Sequence, residues 1–228
     1  KNSFRFDVYC VPEETIQEAL GLAKQNGSIL ENETTFQLAS IAAAEKSLAG
    51  HIRSINASDI PFSSQNLPLI ESYCHANQIV LEDKQKEAVV RFTATRGGFH
   101  ILQGVAGGGK TFTLNVILKV LRAMFQQEGL TLDALVLAPT GKAAKVASAS
   151  TGLEASTIHK ALGLVSDDHE FSKSITANCI VVDEFSMADI FLAEKLLSRI
   201  PASSKVIIMG DANQLPSIGP GAVLRDLV

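Results

Sequence analysis

Gly104-Val105-Ala106-Gly107-Gly108-Gly109-Lys110-Thr111 fits G-x-x-x-x-G-K-[ST], and no other stretch of the chain restricts its fold so strongly. The motif works only where a strand leads in and a helix leads out. Residues 99–103 read as the buried strand. Residues 111–128 read as the helix, with Leu114, Ile117, Leu118 and Leu121 along one stripe. A glycine-rich turn between the two aims backbone N–H groups at an anion, and the helix N-terminus adds its partial positive charge. In this pattern Lys110 reaches the β- and γ-phosphates of a nucleoside triphosphate, and the Thr111 hydroxyl ligates Mg²⁺.

The rest of the C-terminal part repeats the alternation. Apolar runs at 135–138, 179–183 and 205–209 read as strands, with helices predicted at 83–95, 141–149 and 187–199. Apolar strands separated by helices predict an α/β fold, a parallel sheet covered on both faces. Ligands of such sheets sit at the C-terminal ends of the strands. Residues 1–80 read differently, as a small helical domain. Pro12, Glu13 and Glu14 open one helix that Gly27 closes. A longer helix is expected from Asn32 or Thr34 to about Ile55, with Leu38, Ile41, Leu48 and Ile52 as its apolar stripe. A loop at 61–68 and a short helix at 69–76 complete the domain, and residues 81–228 form the second.

Composition narrows the class. At 46% hydrophobic and 19% charged the chain is an ordinary globular sequence. No apolar run approaches the roughly 18 residues of a membrane span. The start, Lys1-Asn2-Ser3-Phe4, lacks Met and lacks an export pattern, which reads as a cytoplasmic protein represented by a trimmed chain. Cys10, Cys74 and Cys179 form no C-x-x-C pair and read as reduced, buried thiols. The net charge of −4 argues against a uniformly basic nucleic-acid-binding surface, but leaves room for a local groove. The acidic excess lies in residues 1–80, where 9 Asp/Glu face 5 Lys/Arg.

Four further stretches carry chemistry. Val181-Val182-Asp183-Glu184 ends a buried strand in two carboxylates, which are costly there unless a cation or a water uses them. Asp183 suits Mg²⁺, and Glu184 suits polarising an attacking water. Residues 209–216 (Met-Gly-Asp-Ala-Asn-Gln-Leu-Pro) end the next strand. There Gln214 can sense a γ-phosphate and Asp211 can orient the metal's water, although Gly, Asp, Asn and Pro are also plain turn residues. At Ala138-Pro139-Thr140-Gly141-Lys142, Thr140 and the N–H groups behind it form a second anion site with Lys142 beside it. With no acid nearby, that site suits a phosphodiester better than a nucleotide; the alternative is a simple helix cap. Ser156-Thr157-Ile158-His159-Lys160 is polar and basic in the same manner. Gln85 has an amide able to read an adenine edge, and otherwise is a helix-surface glutamine.

Together these residues resemble superfamily 1 DNA helicases, in the RecD-like branch of the exodeoxyribonuclease V alpha subunit and its stand-alone relatives. Leu81, Gln85 and Ala88 look like the Q motif, residues 104–111 match motif I, and residues 138–144 match motif Ia. Residues 156–159 look like the following DNA-contacting segment, and Val182-Asp183-Glu184-Phe185-Ser186-Met187 matches motif II. The long stretch from Gly210 to Gly221 matches motif III and is the most family-specific signal. The resemblance implies a RecA-like phosphate-loop nucleotidase domain, with ATP and Mg²⁺ as cofactors. Single-stranded DNA is the implied track, moved along 5′ to 3′ with duplex unwinding, and partners in a helicase–nuclease complex are possible for such a chain.

The implied catalytic residues are Lys110, Asp183, Glu184 and Gln214, with Thr111 and Asp183 on the metal. Gln85, Gly104, Ala106, Gly107, Gly108, Gly109, Lys110, Thr111 and Phe112 line the nucleotide. Pro139, Thr140, Lys142, Thr157 and His159 face DNA. A strand-separating hairpin is implied near 163–177. Gly108 departs from the Thr or Ser usual at its place. The resemblance also puts a second motor domain, with the arginine fingers, after residue 228. Because such fingers contribute about 10³–10⁵-fold in comparable nucleotidases, residues 1–228 alone should bind nucleotide weakly and turn over slowly. Two alternatives stay open. One is a non-catalytic helicase-like DNA-binding or docking domain of a conjugative relaxase; the other is a different phosphate-loop ATPase of clamp-loader type.

Overall fold

The computed structural model describes residues 13–31, 36–105, 107–164 and 173–228, and it divides the chain into two compact units, Lys1–Lys46 and Ser47–Val228. The first unit holds helix α1 (Glu13–Gln25) and an antiparallel pair, β1 (Ile29–Glu31) with β2 (Phe36–Leu38), in the register Ile29↔Leu38 and Glu31↔Phe36. Glu13 and Glu14 lie in the first turn of α1 and Lys24 in its last, each opposite the helix-dipole charge it complements. Helix α2 (Ala39–Ala57) begins in this unit and continues into the next.

The pair β1–β2 corrects the sequence reading. The long helix starts at Ala39, not at Asn32 or Thr34, and Leu38 belongs to a strand. Leu38 lies at helical spacing from Ile41, but it caps a run of three residues whose backbone hydrogen bonds go to residues 29–31. So short a strand shows no period of two, and the alanine-rich run behind it masks the boundary.

The second unit is built on a five-stranded parallel sheet. Its strands are β3 (Gly98–Gln103), β4 (Ala134–Ala138), β5 (Ala155–Thr157), β6 (Cys179–Val182) and β7 (Lys205–Gly210), in the spatial order β3-β7-β6-β4-β5. Every residue of the central strands β6 and β7 is buried, as expected of strands covered on both faces. Helix α5 (Lys110–Gln127) supplies much of one cover, burying Leu114, Ile117, Leu121, Met124 and Phe125. Helices α3 (Leu67–Ala76) and α4 (Asp83–Phe92) pack against it through Ile70, Val89 and Phe92. Helix α6 (Gly141–Thr151) joins the same cover, with Ala147 in the cluster that α5 builds, and α7 (Ile158–Ala161), α8 (Ile190–Leu197) and α9 (Val223–Leu227) complete the unit.

Three details differ from the sequence reading. Strand β5 was not anticipated: it is three residues long, pairs only with β4 and carries Ser and Thr, so it lacks an apolar run. The helix expected at 187–199 is a 3-10 turn at Phe185–Met187 followed by α8, because Asp189 caps a fresh helix with its side chain accepting from Leu192 N–H. Cys179 is fully buried and burial pushes its thiol up to about 12, but Cys74 is only half-buried. Cys10, Ala106 and residues 165–172, the middle of the stretch 163–177 where the hairpin was expected, lie outside the described residues.

One polar cluster is set into the opposite edge of the sheet from the glycine loop. Lys205, the first residue of β7, is fully buried and donates to the Gly97 carbonyl at 2.6 Å. Its Nζ lies 3.0 Å from His100 Nε2, and Asp59 accepts from Gly97 N–H at 3.0 Å. Burial lowers Lys205 to about 8, and burial together with the Lys205 charge lowers His100 to about 4.

Candidate nucleotide and nucleic-acid site

The C-terminal ends of β3, β7 and β6 stand side by side, with Gln103↔Gly210 and Val182↔Ile208 in register. Each strand delivers one predicted motif to the same edge. From β3 the chain turns through Gly107 and Gly109, both in the left-handed region at φ 78° and 75°, and enters α5 at Lys110. Gly108 N–H donates to the Val105 carbonyl and tightens the turn. The absence of a side chain matters most at Gly109, where a Cβ would lie 2.7 Å from Gln85 Nε2.

Gln85 is thereby placed against the loop. Its oxygen accepts from Glu82 N–H at 3.1 Å in a capping box that starts α4, leaving its NH₂ group facing Gly109. The sequence read Gln85 as an adenine reader. In this arrangement the acceptor half of the amide is already used by its own helix. Phe112 is exposed in the first turn of α5, and Thr111 is half-buried beside it.

The N-terminus of α5 has no side-chain cap. Helices α6, α7 and α8 do: Thr140 accepts from Ala143 N–H, Thr157 from Lys160 N–H and Asp189 from Leu192 N–H. First-turn N–H groups lack intrahelical partners in any helix, so α5 presents its own to a ligand while its neighbours have spent part of theirs. Lys110 Nζ is folded onto the loop, donating to the carbonyls of Gly104 at 2.5 Å and Val105 at 3.0 Å. A phosphate here competes with two neutral carbonyls for an ammonium group, and charge-assisted bonds are the stronger.

Asp183 and Glu184 follow β6. Asp183 accepts from Glu184 N–H at 2.9 Å, and Glu184 holds φ 53°, a left-handed conformation that costs a non-glycine residue energy. Burial raises the carboxyl pKa of Asp183, against the opposing pull of Lys110. Burial also raises that of Glu184, reinforced by the Asp183 and Asp211 charges and opposed by Lys110. Glu184 therefore lies within the fields of Asp183, Asp211 and Lys110, and Asp183 within that of Lys110. Three carboxylates around one ammonium leave an excess of negative charge that a divalent cation balances.

Among the described residues no group of three or more His, Cys, Asp or Glu forms a metal cage. Mg²⁺ does not need one, since it commonly uses one or two carboxylates, waters and substrate phosphates. Thr111, Asp183 and Asp211 fit that style of binding.

Gln214 follows β7. Asp211 is buried and ties the turn by accepting from Asn213 N–H, and Gln214 N–H donates to the Asp211 carbonyl. The Gln214 side chain lines a small cleft with Ser186, Pro216, Leu224 and Arg225. Ser186, which the sequence reading named within motif II but gave no role, is buried with a hydroxyl that has no partner among the described residues. The motif marks the residue but not its burial, which shows only when β7 packs beside the 3-10 turn.

The nucleic-acid candidates gather at the other half of the sheet edge. Ala138 and Thr157 are register partners, so Pro139, Thr140, Lys142, Thr157 and His159 all stand just beyond β4 and β5. Lys142 and His159 are exposed, while Pro139, Thr140 and Thr157 are half-buried. Thr140 and Thr157 act as helix caps, which for Thr140 is the simpler of its two readings. Their hydroxyls accept from backbone N–H and remain able to donate outward.

The AAA domain family matches residues 80–228. The chain is 33% identical over 171 residues to the RecBCD enzyme subunit RecD of Haemophilus influenzae, covering 64% of this chain and 26% of that protein. It is 33% identical over 129 residues to the ATP-dependent RecD2 DNA helicase of Deinococcus radiodurans, covering 56% and 17%. The chain thus spans about a quarter or less of these relatives' lengths. A solved Pif1 helicase from Bacteroides, in complex with ADP-AlF3 and ssDNA, overlaps 65% of this chain and 37% of its own at TM-score 0.42 and 21% identity. The match over residues 80–228 and the relatives at one-third identity assign the family: this chain belongs to the AAA domain family, in its RecD-like superfamily 1 helicase branch.

Proposed function

We propose that this chain is the nucleotide-binding motor domain of a 5′–3′ DNA helicase that couples ATP hydrolysis to movement along single-stranded DNA. The observation that carries the reading is the meeting of Lys110, Asp183, Glu184 and Asp211 at one sheet edge, beside the uncapped start of α5. Mg²⁺ supplies charge neutralisation for the phosphates of ATP. Backbone N–H groups of residues 107–111 hold the phosphates, and Lys110 leaves its loop carbonyls to join them. Thr111 and Asp183 hold the metal. Glu184, with its raised pKa, accepts a proton from the attacking water more readily than an ordinary carboxylate. Gln214 responds to the γ-phosphate. Thr140, Lys142, Thr157 and His159 hold the phosphodiester backbone at the neighbouring half of the edge.

Hydrolysis at β3-β7-β6 and a track at β4-β5 share one rigid sheet, which supports coupling between them. The relatives named as RecBCD subunits support a place among other subunits of a helicase–nuclease complex. Binding of a non-hydrolysable ATP analogue with Mg²⁺, with and without single-stranded DNA, tests the reading. Each ligand should tighten the other by the same factor, since coupling between sites is reciprocal. Lys110→Ala should weaken nucleotide binding by about 10- to 100-fold and leave DNA binding in place. Nucleotide binding unchanged by Lys110→Ala overturns the proposal.

A further inference from the structure

The Ser186 side chain is the one feature of the site that no described contact explains. It is 6% exposed, and its hydroxyl has no hydrogen-bond partner among the described residues. Buried hydroxyls are nearly always partnered, so an orphan beside a nucleotide site calls for a reason. The hydroxyl belongs to a residue that lines a cleft of about 20 Å³, together with the exposed Gln214 and Arg225. A space of that size holds one water, and a water needs two to four polar partners. Ser186, Gln214 and Arg225 supply three.

The packing around the cleft is tight. A Cβ at Gly210 would lie 2.6 Å from Leu224 Cδ2 and 3.4 Å from Ser186 N, so β7, α9 and the backbone of the 3-10 turn at Ser186 pack closely. Gln214, in contrast, stands on an exposed loop next to Leu215, which is 88% exposed. One partner is buried and the other stands exposed.

We propose that Ser186 is a positioning residue for Gln214: through one bridging water its hydroxyl holds the Gln214 amide in a resting position, from which a γ-phosphate must draw it. This deepens the nucleotidase reading and rests on it. The Ser186 hydroxyl works against triphosphate binding and has no bearing on a diphosphate, which offers Gln214 nothing. Removing the hydroxyl therefore favours the released position and tightens triphosphate binding selectively. The loss of one water-mediated bond to a neutral amide corresponds to about a fivefold change.

The test compares dissociation constants of the β,γ-imido ATP analogue and of ADP, both with Mg²⁺, for the full chain. Ser186→Ala should tighten the analogue about fivefold and leave ADP unchanged. In a Gln214→Ala background, Ser186→Ala should have no effect on either nucleotide. A merely structural Ser186 would move both nucleotides together, and that result overturns the proposal. So does an unchanged ratio in Ser186→Ala, or an effect that survives in Gln214→Ala. Absence of any nucleotide binding by the unmodified chain overturns the function itself, and this inference with it.

Discussion

Acidification should destabilise the fold through His100. Burial and the neighbouring Lys205 charge hold this imidazole at about 4, against an ordinary value of about 6.5. Its Nε2 lies 3.0 Å from Lys205 Nζ, and its ring stacks 4.7 Å from that of Phe92. The folded state keeps the ring neutral at pH values where the unfolded chain protonates it. Because the folded pKa is the lower one, the stability is fully present above about 6.5 and is lost as pH falls toward 4. Linkage gives a loss of about 2 kcal/mol on going from pH 7 to pH 5, with a limit of about 3 kcal/mol near pH 4.

The perturbation that isolates His100 is His100→Gln, which keeps a polar atom near the Nε2 position and cannot titrate. Urea unfolding followed by far-ultraviolet circular dichroism suits a chain with no tryptophan. The variant should be less stable than the parent at pH 7, because the stack on Phe92 is lost. Its stability should fall about 2 kcal/mol less than the parent's between pH 7 and pH 5. Asp183 and Glu184 act with the opposite sign: their folded pKa values are raised, so folding gains from acid there. Both proteins share that contribution, and the difference between them removes it. Equal losses in the parent and in His100→Gln would refute the reasoning and place the acid sensitivity elsewhere. Lys205 extends the same logic to alkali. Its pKa of about 8 lies below the ordinary lysine value, so stability should rise as pH increases from 8 toward 10.5.

Three other outcomes are expected. Asp183→Asn and Glu184→Gln should raise the urea midpoint at pH 8, since each removes a half-buried charge whose raised pKa makes it costly above that pKa; ATP turnover should fall by about 10²-fold or more. Gly109→Ala should cost about 1–2 kcal/mol for its left-handed backbone and should weaken nucleotide binding by displacing Gln85, measured by urea unfolding and by titration with the ATP analogue. Lys142→Ala should weaken single-stranded DNA binding alike for all sequences and reduce the slope of log affinity against log salt by about 0.7, read from titrations at several salt concentrations.

The parts of the molecule that read clearly from sequence are those where one local rule acts alone. Residues 104–111, Asp183-Glu184 and the apolar runs of β3, β4, β6 and β7 each carry their own signal, and β6 and β7 are buried on both faces as their unbroken apolar runs require. The parts that did not read clearly depend on partners far away in the chain. Strand β2 exists because of residues 29–31, and β5 because of β4. The break before α8 depends on the Asp189 cap, reinforced by the Pro220 carbonyl, which accepts from Ile190 N–H. Gln85 is the clearest case within the site: its sequence shows an amide on a helix, and only the fold shows that amide set against Gly109.

The capping pattern separates the two halves of the sheet edge more sharply than charge does. The chain is acidic overall, and Lys110 and Lys142 each stand in the first turn of a helix behind a parallel strand. Sequence alone gives both helices the same anion-binding logic. The difference lies in one residue: Gly109 leaves the start of α5 without a side chain, whereas Thr140 covers the start of α6 with its hydroxyl. An uncapped helix start with a lysine and three carboxylates nearby suits a ligand carrying several charges together with its own cation. A start capped by Thr140, with Lys142 exposed beside it, suits a ligand carrying one charge per unit.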